Sequence, residues 1–184
     1  VATMTADVLL LGDIGVGSTT AASAVSLALN GGEASEWVGA GSGVDADGIR
    51  RKIEAVTTAV ARVGEVDPLE ALRRLGGAEM AALAGAVYEA RRRSIPVLLD
   101  GFVTTAAVAV LESLVPGALD HTIAGHRSLE PGHARLLDAL GKPPLLDLAI
   151  RHGEGSGALL ALPIVRAAAS VVSDVATLDE WGLR

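Results

Sequence analysis

The sequence predicts an α/β fold with a doubly wound, mostly parallel sheet and helices on both faces. Short apolar runs alternate with longer segments whose apolar residues recur every three or four positions, the pattern of parallel strands joined by helices. The apolar runs stop at Gly or Asp. Half of the 184 residues are hydrophobic but only 2% are aromatic, so Ala, Val, Leu and Gly build the core and helices can pack closely on a sheet.

Asp7–Leu11 reads as a buried strand stopped by Gly12. Ser18, Thr19 and Thr20 are positioned to cap a helix over Ala21–Leu29, ended by Asn30-Gly31-Gly32. After the Gly-rich stretch Val38–Gly43, Asp45 or Asp47 opens a helix to Val63, with Ile49, Ile53, Val56 and Val60 on its buried face. Asp67-Pro68 is an N-cap followed by Pro at the first helical position, and Gly76-Gly77 closes that helix. The next helix, Ala78–Arg93, ends in three arginines that complement its C-terminal dipole. Ile95–Leu99 is a second buried strand, stopped by Asp100-Gly101, and Thr104-Thr105 begin a helix to Leu114. His121–Ala124 is a third strand ending at Gly125, and Pro131–Leu140 is helical. Leu145–Ile150 fits strand or helix, and Gly153–Gly157 leads into a helix over Ala158–Val172. Residues 1–172 are expected to form one nucleotide-binding α/β domain and 173–184 a C-terminal tail.

The formal net charge of −7 argues against nonspecific nucleic-acid binding, which needs Lys and Arg to meet phosphates. The chain has no cysteine, which removes disulfides and thiolate chemistry and fits a reducing cytoplasm. No signal peptide is expected, and apolar stretches are broken by Gly, Asp or Arg short of the ~20 residues of a membrane span.

In an open parallel sheet, ligands bind beyond the carboxyl ends of the strands. The turns Gly12-Asp13, Asp100-Gly101 and Gly125-His126, with the loop Gly153–Gly157, are therefore expected on one edge. Glycines 12, 15 and 17 let backbone N–H groups approach a ligand, the following helix offers its positive end, and Ser18–Thr20 add hydroxyls. Such a turn serves either a phosphate or only a tight strand–helix junction. It is neither a P-loop, lacking Lys before the Ser/Thr pair, nor a GxGxxG dinucleotide turn. Lys52 reads either as part of a solvated face with Arg50 and Arg51 or as a phosphate's counter-charge. Glu154, between two glycines, is a loop acid or a general base whose pKa partial burial raises. His126, Glu130 and His133 match no standard zinc spacing; Ser128 is a candidate phosphate donor and His126 a structural hydrogen-bonder. No Gly-x-Ser-x-Gly elbow is present.

Seven segments, in order, resemble the nicotinate-nucleotide–dimethylbenzimidazole phosphoribosyltransferase family, specifically its C-terminal half. They are Gly12–Thr20, Gly39–Asp45 with Arg51-Lys52, Asp67–Glu70 with Leu75–Gly85, Pro96–Phe102, Ala124–His133, Leu145–Leu148 and Gly153–Ala158. Two positions depart from the signature: Asp13 stands where it has Glu, and Ser18 where it has Asn. The resemblance implies a Rossmann-like sheet with a smaller helical domain, to which the C-terminal tail would belong, a homodimer, and neither cofactor nor metal. It implies transfer of the phosphoribosyl group of nicotinate mononucleotide to 5,6-dimethylbenzimidazole, giving α-ribazole 5′-phosphate and nicotinate. Glu154 then matches the catalytic glutamate. Asp13, Gly15, Gly17, Ser18, Gly41, Lys52, Ser128, Gly153 and Gly155 fall at the substrate, with Gly15, Gly17, Lys52 and Ser128 at its phosphate. Family members run to about twice this length, and much of their base pocket comes from the other half, so a silent nucleotide- or phosphate-binding module of the same fold is the alternative.

Overall fold

A computed structural model describes residues 5–183; residues 1–4 and 184, at the outer ends of the two expected units, lie outside them. Three parallel strands, β1 (Leu9–Leu11), β2 (Val97–Leu99) and β3 (Thr122–Ala124), form a sheet in the order β1-β2-β3. Leu9, Leu10 and Leu11 face Val97, Leu98 and Leu99 in register, and these face Thr122, Ile123 and Ala124. A second parallel pair joins β4 (His126–Ser128) to β5 (Leu146–Ile150), so Leu145–Ile150 resolves as a strand. It continues the first sheet: Leu145 and Leu146 donate backbone N–H bonds to the carbonyls of Ala124 and Gly125.

Between the strands lie α1 (Ser18–Asn30), α2 (Ala34–Trp37), α3 (Ala46–Val63), α4 (Pro68–Leu75), α5 (Ala78–Arg92), α6 (Phe102–Leu114) and α7 (Pro131–Ala139), with α8 (Ser156–Asp174) last. The central strand β2 is fully buried, its Val97 and Leu99 packing with Val87 and Ala90 of α5 and Val108 of α6. A larger core joins α1 to α7, with Trp37, Val25, Met80, Phe102 and Leu136 inside it. Of the face expected on α3, Val56 is buried, while Ile49, Ile53 and Val60 are partly so.

Several expectations change. β1 is only half-buried, because it is the edge strand. The third strand ends before Gly125 as expected, but no loop follows: the chain enters the next strand, β4, directly after it. A Cβ at Gly125 would lie 2.9 Å from Ala158 Cα, so this glycine marks a close approach of backbones and not a surface turn. The short helix α2, inside the Asn30–Val38 connection, has no counterpart in the sequence reading. Three helices start earlier than expected, because glycines cap them: Gly17 in the left-handed conformation before α1 and Gly101 before α6, where Ser/Thr signals were read, and left-handed Gly155 before α8, where Ala158 was expected to begin the helix. At α3 the cap is Asp45, which accepts the Gly48 N–H at 2.7 Å, while Asp47 pairs with exposed Arg50. Asp67 caps α4 through the N–H groups of Leu69 and Glu70.

Apolar breaks do not keep α8 short. It runs for 19 residues and is, among the described residues, the one helix long and apolar enough to cross a membrane by length and composition. Arg166 and Pro163 interrupt its apolar runs without ending the helix. Leu159, Leu160, Ile164, Val171 and Val172 on it are exposed.

Candidate functional site

Two cavities compete for attention. The larger, about 710 Å³, lies among α4, α5 and the C-terminal end of α6 and is almost wholly apolar, with Arg91 and Asp120 at its rim. It gathers no strand end. The smaller, about 460 Å³, is lined by the turns that follow β1, β2, β4 and β5, with the Gly41-Ser42 loop closing one side. Its polar lining and position beyond the carboxyl ends of the strands make it the candidate site.

The loop after β1 supplies its first wall. Gly17, at φ 82°, turns the chain into α1 with no side-chain cap; Thr20 N–H bonds Gly17 O at 3.0 Å, and no side chain takes up the first-turn N–H groups before it. Asp13 accepts the Ser18 hydroxyl at 2.6 Å, which commits that hydroxyl's hydrogen to the carboxylate. At the loop tip Ile14 and Val16 are exposed, Val16 completely. The loop after β5 lies directly against this one: Asp13 donates its N–H to Gly153 O, and a Cβ at Gly12 would come within 2.6 Å of Glu154 C and Gly155 Cα. Glu154 lines the cavity, is exposed in this chain, and forms no side-chain hydrogen bond among the described residues.

Beneath the Glu154 loop sits Asp100, fully buried at the end of β2. One carboxylate oxygen accepts the Gly155 N–H at 3.1 Å and the other the Ala158 N–H at 2.8 Å. It thus does from across the sheet what an N-cap side chain does for α8. His126 is also fully buried, its Nδ1 3.6 Å from Asp100, and neither ring nitrogen has a hydrogen-bond partner among the described residues. Burial lowers its pKa against the opposing pull of Asp100, favouring the neutral ring.

Ser128 heads a buried relay. Its backbone N–H reaches His133 Nδ1 at 3.0 Å, so that nitrogen is an acceptor, and its hydroxyl lies 2.9 Å from the same atom. His133 Nε2 then donates to Thr105 Oγ1 at 3.1 Å, and Thr105 donates to Gly101 O. Desolvation drives the His133 pKa down to about 3, with nearby His126 adding to it. This neutral tautomer draws the Ser128 hydroxyl hydrogen inward, away from the cavity that Ser128 lines.

Lys52 is neither on a solvated face nor in the cavity wall. Its ammonium donates to Gly39 O at 2.8 Å and Thr19 Oγ1 at 3.1 Å, behind Gly41. Desolvation lowers its pKa, and the charge of Glu130 opposes that. Glu130 in turn accepts the Gly41 N–H at 2.7 Å, fixing the same loop from the other side.

A profile of the phosphoribosyltransferase family matches residues 1–183. The chain belongs to that family. Among curated phosphoribosyltransferase relatives, the nicotinate-nucleotide–dimethylbenzimidazole phosphoribosyltransferase of Methylorubrum extorquens is 56% identical over 180 residues, covering 96% of this chain and 53% of the relative. The enzyme of the same name from Sinorhizobium medicae is 52% identical, with the same shares covered. The crystal structure of CobT from Thermus thermophilus superposes with a TM-score of 0.91 at 46% identity, over 97% of this chain and 54% of that one. A second structure from that organism, of the nicotinate-nucleotide–dimethylbenzimidazole phosphoribosyltransferase, gives 0.88 at 44% identity, over 97% of this chain and 53% of that one. The chain spans about half the length of the curated relatives it matches.

Of the residues that the phosphoribosyltransferase resemblance puts at the substrate, Asp13, Gly15, Gly17, Ser18, Gly41, Ser128 and Gly153 line the one cavity together with Glu154. Lys52 and Gly155 stand behind that lining. The expected Gly125-His126 turn is replaced at the cavity by Ser128 and Glu130. Thr19, offered as a hydroxyl donor with Ser18, also lines it, as do Ser42, Phe102, Arg151 and His152, which were not singled out by spacing. A lone Arg beside a Gly-rich loop was the available signal for Arg151, which is exposed at the cavity mouth. Among the described residues no cluster of three or more His, Asp or Glu could hold a metal.

Proposed function

We propose that this chain carries the nucleotide-binding part of a phosphoribosyltransferase that moves the phosphoribosyl group of nicotinate mononucleotide to 5,6-dimethylbenzimidazole. One benzimidazole nitrogen forms the new bond to ribose C1, and the bond from C1 to nicotinate breaks. Its electron pair returns to the pyridinium nitrogen, so the leaving group needs no proton. The proton on the other benzimidazole nitrogen passes to Glu154. The observation that carries this reading is the placement of Glu154 in one 460 Å³ cavity with the glycine loop at the start of α1. A phosphate at Gly15, Gly17 and the first turn of α1 would anchor the nucleotide remotely and help position C1 against the incoming base. Lys52 and Glu130 hold the Gly39–Gly41 segment, so Lys52 would act on the phosphate through that loop and through its charge. Asp13, Ser18, Ser128, Gly153 and Gly155 complete the nucleotide site in this reading.

Residues 1–172 would form the nucleotide-binding domain and 173–184 belong to the smaller helical domain. The exposed apolar side chains of α8 favour a covering partner, the rest of the polypeptide or a second copy in a homodimer.

The test is release of nicotinate from nicotinate mononucleotide in the presence of dimethylbenzimidazole. Turnover by the chain and its loss in Glu154→Gln, with nucleotide binding kept, are the expected results; a Glu154→Gln variant as active as the parent refutes the base assignment. The exposure of Glu154 and the half-length match favour a second reading, a nucleotide-binding module without an acceptor pocket. Nucleotide binding with no nicotinate release by either protein would select it.

A further inference from the structure

Glu154 makes no side-chain hydrogen bond among the described residues, so its carboxylate is aimed only by the backbone that carries it. The next residue, Gly155, is in the left-handed conformation and starts α8. Asp100 takes hold on this side of Glu154, through the N–H groups of Gly155 and Ala158. Asp100 is 0% exposed, and the buried His126 ring, its nearest titratable neighbour, fills the space beside it. A Cβ at Gly157 would come within 2.5 Å of His126 Cε1, so the first turn of α8 is pressed onto that ring. His126 has no hydrogen-bond partner among the described residues, and both Asp100 oxygens are taken by the loop.

We infer that Asp100 is a positioning residue for the reaction: its two hydrogen bonds to Gly155 and Ala158 fix the direction in which Glu154 presents its carboxylate to the acceptor base. This inference rests on the proposed role of Glu154 as base. Asp100 is not part of the cavity lining and acts only through the loop above it. The isosteric Asp100→Asn keeps one acceptor and turns an NH2 donor toward the second N–H, so one of the two bonds is lost with little change of volume. A shift of the loop by about 1 Å then lowers kcat by roughly 100-fold, whereas KM for nicotinate mononucleotide stays near the parent value, because the phosphate end of the cavity is untouched.

Three measurements test it. In the isotopically labelled parent chain, through-hydrogen-bond couplings should link the Gly155 and Ala158 nitrogens to the Asp100 carboxyl carbon; their absence overturns the clamp, and no variant needs to fold. In Asp100→Asn, the Gly155 and Ala158 amides should exchange roughly tenfold faster relative to amides of β2 and α6. An equal acceleration everywhere means a general loss of stability and overturns the inference. Finally, in long single-turnover incubations that read the residual rate of Glu154→Gln, adding Asp100→Asn should lower that rate no further, because Asp100 acts only through Glu154. Additive losses remove the positioning role while leaving the base in place. A fully active Glu154→Gln single variant, or a parent that releases no nicotinate, removes the reaction reading itself and the catalytic role of Asp100 with it.

Discussion

Gly12→Ala probes the contact on which the site is built. Gly12 ends β1, and its φ is not left-handed, so alanine meets no backbone strain there. The obstacle is space. The new methyl would overlap Gly155 N and lie 2.6 Å from Glu154 C and Gly155 Cα, all main-chain atoms that no rotamer change can move aside. Ordinary contact needs roughly 3.5 Å, so the loops must separate by about 1 Å. The Asp13 N–H to Gly153 O bond, 2.6 Å long, spans that same seam and would stretch past bonding length. Overpacking costs about 1–3 kcal/mol, and the lost bond about 1 kcal/mol. Reduced freedom of the unfolded chain returns about 0.4–1 kcal/mol. The net is a destabilisation of about 2 kcal/mol, or a fall in Tm of about 4–8 °C for a chain of this size. Thermal melting followed by circular dichroism reads the first effect. Nicotinate release should fall more steeply than stability, by roughly 100-fold for a 1 Å displacement of Glu154. A Gly12→Ala protein that melts within a degree of the parent, with unchanged amide exchange at Asp13, would show that the loops are not interlocked.

Other substitutions separate packing from chemistry. Gly85→Ala, in the middle of α5 where a methyl meets nothing within 4 Å, should raise stability by about 1 kcal/mol in urea unfolding; a loss would mean that α5 packs differently. His133, with its pKa depressed to about 3 in the fold, makes stability complete above the unfolded value near 6.5 and lost as pH falls toward 3. Between pH 6.5 and 5, above the carboxylate range, it should remove about 2 kcal/mol. His121 and His126, also lowered, act in the same direction, and His133→Gln should flatten the slope without abolishing it. Lys52→Ala should weaken nicotinate mononucleotide far more than free dimethylbenzimidazole, by calorimetry; equal effects remove Lys52 from the phosphate. Arg151→Ala should weaken the nucleotide by roughly 1–2 kcal/mol, and by less at high salt, if its exposed cation meets an anionic group.

The sequence disclosed the parts that depend on local pattern. Apolar runs before Gly12 and Asp100 marked strand ends, and the glycines of the first loop and of Gly153–Gly157 marked where chains approach closely. Where signals were not local, the reading failed. Ser18 and Thr104 carry the usual capping side chains, but α1 and α6 are capped by glycines, and the hydroxyl of Ser18 is drawn to Asp13 instead. Gly125 does end β3, but what it marks is a close backbone approach and not a loop; a turn and such an approach both demand glycine, and only the position of Ala158 tells them apart. Asp100 was legible as a strand terminator and illegible as a clamp, since its partners lie 55 and 58 residues further on. Lys52 sits among arginines that do point to solvent, and its burial follows from how α3 leans on the Gly39–Gly41 segment, which no periodicity encodes.

The way in which Glu154 is held also accounts for the composition. Glu154, the proposed base, has no side-chain hydrogen bond among the described residues, so the fixing of its loop falls on main chain: Asp13 N–H to Gly153 O on one side, Asp100 to Gly155 and Ala158 on the other. Main-chain contacts of that closeness are possible only where side chains are missing. Glycines occupy three close seams around that loop, 12 against the Glu154 loop, 125 against the main chain of Ala158 and 157 against the His126 ring. A protein with 22 glycines and only four Phe, Trp or Tyr residues is suited to such seams, because bulky groups near the strand ends would hold the loops apart. It follows that methyl groups added at these three glycines should register first in the orientation of the 153–157 loop, while one added at Gly85, far from any seam, should register only in stability.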